Sequence, residues 1–394
     1  MNVKIWLKRY FINTSILAHC ALIIVIAVVV SEKITHHWRW PLIKRWVLGD
    51  VDKTEVYPLG VAGYAGLPEG QWIKIHQQKP DDLVYFVRQK HAGSGFDIRR
   101  SRLFVFGSDT HGSNWDNAVY TFDMNALQWS RSYVPDLPIS YAVNSYGFPV
   151  AGVNKNHPWA MHTYAAIAYH QLNEKLIVAS YPGHLSPERY GQNLSAVWRH
   201  IKKHPTWIFD PRLNRWQAVG KNNQLFFPYA IAYDSDRHVV TGFKPDGIYD
   251  WKGNDSGWVK IAERAVSQYH TNAVYDSVNH VFLLFGGNKA SNAVYVYKVG
   301  EKISEKMPTL GIRPPGGQSV PLAFHTKTGK MVALVNTETW VYDFSADQWQ
   351  EVESAKFPYP VGMNYTMEYD ARHNVIVLIS SPDKEPTAVW VLRL

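Results

Sequence analysis

The chain has 394 residues, with 41 Lys and Arg against 33 Asp and Glu, a formal net charge of +8, 46% apolar and 14% aromatic residues. That apolar content excludes a disordered chain, and a single cysteine, Cys20, excludes a disulfide scaffold. The many Gly, Pro and aromatic residues suit a β-rich domain.

Lys4, Lys8 and Arg9 occupy a short segment, residues 1–9, ahead of an apolar run at residues 10–30. About 21 residues of Ile, Leu, Val and Ala suffice for one transmembrane helix, read here as a signal anchor with residues 1–9 cytoplasmic. Lys33, Arg39, Lys44 and Arg45 follow the run and weaken the charge asymmetry that sets this orientation. The competing reading is a cleaved secretory signal. Against it, the run exceeds the about 7 to 15 residues of a signal core, and Val28-Val29-Val30-Ser31 is a poor small-x-small site. Cys20 lies inside the run after His19, which disfavours a lipoprotein signal. Residues 31–69 form a linker whose stretch His36 to Trp46 interleaves basic and aromatic side chains. Beside a membrane span this composition suits lipid headgroups better than nucleic acid. The sequence therefore predicts a single-pass membrane protein, in lipid contact through residues 10–46, with the rest of the chain periplasmic or extracellular.

Beyond residue 70 one phrase recurs, an aromatic residue, an aspartate and a tryptophan six places later: Phe122-Asp123…Trp129, Phe209-Asp210…Trp216 and Tyr342-Asp343…Trp349. A second phrase, apolar residues ending in an aromatic and a polar turn, recurs at Tyr169-His170, Tyr233-Asp234, Tyr275-Asp276, Phe324-His325 and Tyr369-Asp370. Tight turns and β-branched runs such as Val281 to Phe285 follow, so each unit reads as strand, turn, strand, loop, strand, turn, strand. The aromatic positions of the second phrase fall roughly 42 to 64 residues apart, the spacing of propeller blades. Five whole units begin near Asp82, Tyr164, Pro228, His270 and Pro321, and a sixth, Tyr365 to Leu394, ends after three strands. Gly70-Gln71-Trp72-Ile73-Lys74-Ile75 is similar to the fourth-strand segment Asp347 to Val352, so residues 70–76 are expected to complete the sixth unit. Closure of that kind removes open sheet edges.

These phrases, with Gly286-Gly287 after an apolar run and its reduced form Gly107-Ser108, resemble the kelch repeats of the galactose oxidase-like propellers. The likeness spans roughly residues 70 to 394 and implies an all-β, six-bladed propeller following an N-terminal transmembrane helix. The fourth unit departs from the pattern, with Lys298 in place of the aspartate and no tryptophan. In such a repeat the tryptophans Trp129, Trp216 and Trp349 are packing residues.

Catalytic motifs are absent: there is no Gly-x-Ser-x-Gly elbow, no phosphate-cradling loop and no close metal-ligand spacing. With no cysteine beyond residue 20, the cross-linked tyrosine of galactose oxidase cannot form. Ser108 to Trp115 is a single imperfect likeness to the Asp-box of sialidases. The turn residues Asp234, Asp236, Asp276 and Asp370 are explained by backbone hydrogen bonding. Beyond residue 70, three Asn-x-Ser/Thr triplets, at Asn193, Asn254 and Asn364, carry no information by themselves.

What remains for binding is the long-loop face. Two connections, Ser180 to Pro205 and Pro135 to His162, exceed what strands require. Tyr164, Pro228, His270, Ser319 and Asn364 take equivalent entry positions before the first strands. With loop residues they define a candidate ligand site of His111, Trp115, His162, Tyr164, His184, Glu188, Arg189, Tyr190 and His270. No catalytic residue, metal ligand or cofactor is assigned. The expected function is a membrane-tethered binding or assembly module for a protein or glycan. The alternative is an isomerase, lyase or oxidase of carbohydrate or small-metabolite chemistry at the channel mouth.

Overall fold

A computed structural model describes residues 54–86, 91–108, 110, 114–183, 194–289, 291–362, 365–381 and 386–394. The described residues are all-β apart from a short α-helix, Leu194–Trp198, and brief 3-10 turns. They form six four-stranded antiparallel sheets and one small three-stranded sheet.

Five sheets are built from consecutive strands. The first comprises Gly93–Asp97, Arg102–Phe106, Tyr120–Asp123 and Gln128–Arg131, and the second Ile167–His170, Lys175–Val178, Thr206–Asp210 and Arg215–Val219. The third runs Ala230–Asp234, Val239–Lys244, Gly247–Trp251 and Trp258–Ala262. The fourth runs Asn272–Asp276, Val281–Phe285, Tyr295–Lys298 and Glu305–Lys306. The fifth runs Leu322–His325, Lys330–Val335, Glu338–Asp343 and Gln348–Glu351. In the sixth, Thr366–Asp370, Val375–Ser380 and Ala388–Leu392 are joined by Trp72–Gln77 from the other end of the chain, with Trp72 opposite Leu392 and Gln77 opposite Ala388. The first strands of successive sheets are neighbours in order, and that of the sixth lies against that of the first.

One local device builds every first hairpin. Asp97, Asp234, Asp276 and Asp370 end their strands and accept the backbone N–H groups two and three residues on, as at Asp276 Oδ1 with Val278 N and Asn279 N, both 2.9 Å. In the second and fifth sheets His170 and His325 take that place, their Nδ1 atoms accepting from Asn173 N at 3.3 Å and Thr328 N at 3.2 Å. Each turn closes through one left-handed residue, namely Ser101, Glu174, His238, His280, Gly329 or Asn374. The same aspartate chemistry makes the last turns at Asp123, Asp210 and Asp343. The fourth sheet has Lys298 there and keeps only Glu305–Lys306, both exposed, as its last strand.

The sheets stack through apolar cores shared between neighbours. Trp72, Trp129, Trp216, Trp258 and Trp349 all lie in fourth strands and pack on aromatic neighbours such as Phe357, Phe122, Phe209, Phe226 and Tyr342. Trp72 Nε1 also donates to Thr339 Oγ1 of the fifth sheet at 2.8 Å.

Two sequence expectations are corrected. The first sheet begins at Gly93, not near Asp82. Residues 78–86 instead form a connection held by Gln78, which donates to Val84 O at 2.7 Å and accepts from Phe86 N, and by Phe86 stacked on Tyr120 at 3.8 Å. The expected single-pass membrane placement also falls: among the described residues no helix is long and apolar enough to cross a membrane. The run at residues 10–30, the linker stretch to Trp46 and the lipid contact assigned to them lie outside the described residues.

Candidate functional site

The turn into each first strand supplies the site. Aligned on the strand aromatics Phe96, Tyr169, Tyr233, Tyr275 and Phe324, the residue five positions earlier is His91, Tyr164, Pro228, His270 or Ser319. Four of these have left-handed backbones, with φ of 71° at His91, 44° at Tyr164, 67° at His270 and 48° at Ser319. A bulky aromatic at φ 44° is a strained choice, and such strain persists only where its surroundings fix it. Here the backbone does so by linking one sheet to the next. Tyr164 N donates to His91 O at 3.0 Å, His270 N to Pro228 O at 3.0 Å, and Ser319 N to His270 O at 2.9 Å. Gly93 must be glycine in this setting, because a Cβ there would stand 1.9 Å from Tyr164 O.

The side chains converge accordingly. The His91 ring lies 4.3 Å from that of His162 and 4.9 Å from that of Tyr164, and the Tyr164 hydroxyl bonds His91 Nδ1. Tyr164 stacks on Phe227 at 5.6 Å and meets His270 edge-on at 4.6 Å. His162 Nε2 pairs with Thr110 Oγ1 at 3.0 Å, and the His162 carbonyl accepts from Ser180 Oγ. Tyr181 extends the group toward Phe227 and His204, and Tyr269 packs on His270 at 4.6 Å. Burial lowers the His204 pKa and raises that of the Tyr269 phenol, with Tyr181 and Tyr229 adding to the rise.

Of the residues expected at the site, His162, Tyr164 and His270 therefore come together. Trp115 does not join them: it packs edge-on against Tyr141 at 4.9 Å, in a small core with Trp159 beneath the three-stranded sheet of Ala142–Val143, Pro149–Ala151 and His157–Pro158. His111, His184, Glu188, Arg189 and Tyr190 lie outside the described residues, as does Asn364. His91 and Phe227 were missed. His91 holds the same offset from Phe96 as Tyr164 from Tyr169, a signal hidden once the first unit was placed near Asp82.

Below the entry turns is a cavity of ≈ 270 Å³ lined by first-strand residues of all six sheets. At the position before the strand aromatic, five sheets carry Gly95, Ala168, Ala232, Val274 and Ala323, and the sixth carries Glu368. Glu368 accepts from Ser94 Oγ at 2.8 Å and, among the described residues, is the one Asp, Glu, Lys, Arg or His lining the cavity. Burial pushes its pKa up to about 7, a rise only partly opposed by the Ser94 hydrogen bond. Among the described residues no group of three or more His, Cys, Asp or Glu side chains could hold a metal ion.

The arrangement therefore gathers buried aromatic and imidazole rings at the entry turns, with the His162 imidazole on Thr110 and the Tyr164 phenol on His91. A single protonatable carboxyl stands deeper. No family model matches the chain, and no curated protein matches it.

Proposed function

We propose that the chain is a six-bladed kelch-like propeller, closed by Trp72–Gln77, that works as a binding module taking a glycan at the channel mouth. The observation that carries this reading is the ring cluster of His162, Tyr164, Phe227 and His270, held by strained entry turns of neighbouring sheets. Sugar rings pack their C–H faces on aromatic surfaces and exchange hydroxyl hydrogen bonds with imidazole and phenol groups, and both kinds of surface meet here. Protein partners are the other class expected of such a module. The insertion at residues 134–153, where Val134, Leu137, Ile139, Tyr146 and Val153 are exposed, is their natural contact.

The test is calorimetric titration of the full-length chain with a panel of neutral and acidic oligosaccharides, repeated with Phe227→Ala and Tyr164→Phe. Saturable binding weakened about tenfold by Phe227→Ala supports the reading. A panel without binders, or binding indifferent to Phe227, defeats it. The enzyme reading is favoured by one observation, the Tyr164 hydroxyl on His91 Nδ1, an arrangement suited to proton transfer. Sugar turnover in the same samples, followed by proton NMR and lost in Tyr164→Phe, would favour that alternative.

A further inference from the structure

Glu368 is costly where it stands. The other sheets place small apolar residues at this register, and Ala168, Ala232 and Ala323 fall in cores shared with the following sheet. A glycine or alanine would serve the packing, whereas a half-buried carboxyl partnered by one hydroxyl is costly to hold ionised. Among the described residues no charged neighbour offsets it: burial raises its pKa and the Ser94 hydrogen bond partly opposes the rise. On the adjoining strands, Asp97 is engaged by Arg100 and the turn amides, and His325 by the Thr328 turn.

The same cavity holds further unused polarity. Ser319 is 4% exposed, lines the cavity, and its Oγ has no hydrogen-bond partner among the described residues. Thr366 Oγ1, two residues before Glu368 on the same face of the strand, also lacks a partner among them. Apolar and tyrosine residues make up much of the remaining lining, among them Ala168, Ala232, Tyr164 and Tyr233.

We infer that this cavity is a binding site for a small organic ammonium ion, with Glu368 as its counter-charge and the apolar and tyrosine residues of the lining around its methyl or methylene groups. A divalent metal is a poor fit, because hard cations take six or more oxygen ligands, several of them carboxylate, and one carboxyl stands here. An ammonium needs one carboxylate and gains from aromatic faces. The volume admits only a small ligand. This site goes beyond the glycan reading and stands if the sugar panel fails.

The probe is choline chloride, titrated into the full-length chain at pH 8 with sodium chloride matched, beside its uncharged carbon isostere 3,3-dimethylbutan-1-ol. Saturable choline binding is expected at millimolar concentration or tighter, at least tenfold stronger than that of the isostere, and at least tenfold weaker in Glu368→Gln. Because the cation competes with a proton on Glu368, choline affinity in the unmodified protein must also rise between pH 6 and pH 8, a readout that does not depend on the variant folding. The inference is overturned if the isostere binds as well as choline, if Glu368→Gln binds within threefold of the unmodified protein, if affinity is flat with pH, or if no saturation appears below about 100 mM.

Discussion

Replacing Glu368 by glutamine isolates one buried carboxyl. Its folded pKa of about 7 stands above the ordinary glutamate value of 4.5. At about 1.4 kcal/mol per pKa unit, the difference amounts to about 3.5 kcal/mol of stability at most. The sign follows from proton binding. Between the two pKa values the folded chain holds a proton that the unfolded chain has released. The stabilising contribution is therefore complete below pH 4.5, is lost as pH rises through 7, and is level above that. Glutamine keeps the shape and does not titrate, so Glu368→Gln should gain up to about 3.5 kcal/mol over the unmodified protein at pH 8.5 and show little advantage at pH 4.5 to 5. Urea unfolding followed by tryptophan fluorescence at half-unit steps from pH 5 to 9 measures this. The difference between the two proteins is the quantity to plot, because buried histidines such as His325 bend both curves alike. A difference that stays constant across the range, or that shrinks as pH rises, would refute the burial of an uncompensated carboxyl.

Four further outcomes follow from the packing. His325, whose pKa burial lowers to about 4, makes the fold lose stability as pH falls from 6.5 toward that value; His325→Asp, the residue of four sister turns, should reduce the fall in urea midpoint between pH 6.5 and 5. Trp72→Ala should cost about 3–5 kcal/mol by emptying its place against Phe357 and leaving Thr339 without its donor, and amide exchange should quicken first in Ala388–Leu392. Gly95→Ala puts a Cβ 2.8 Å from Tyr169 N and from Leu176 Cδ1 and should cost about 1–3 kcal/mol. Gly362→Ala meets nothing within 4 Å and should stay within about 0.5 kcal/mol by denaturant unfolding.

The sheet plan was legible in the sequence because its signals are local. An aspartate that accepts amides two or three residues on, a left-handed residue after it and a tryptophan in the last strand act within one hairpin, so Asp123, Asp210 and Asp343 announce their turns in the sequence. The site was legible only in part. His162, Tyr164 and His270 are side chains of a recognisable entry turn, but Phe227 and Trp115 owe their positions to packing between sheets, which no spacing along the chain encodes. Glu368 appears in the sequence as one more residue before a strand tyrosine. Its oddity emerges only when six first strands are placed side by side and five carry Gly, Ala or Val. The amino-terminal run shows the opposite limit: its apolar length predicts a span from composition alone, and the described structure contains no helix of that kind.

The sixth sheet takes one strand from Trp72–Gln77 and three from beyond Thr366, and Arg393 reaches back to Glu69 at 2.7 Å and to Leu67 O at 2.8 Å. During synthesis the early strand leaves the ribosome long before its partners exist. Five sheets can form in order while that one waits as an unmatched edge, and the last junction is made only once residues 366–392 have emerged. Ribosome-bound chains halted between Glu351 and Thr366 should therefore hold an ordered but unlatched array, open to proteases at Trp72–Gln77, and release should convert it to the resistant form in a single late step.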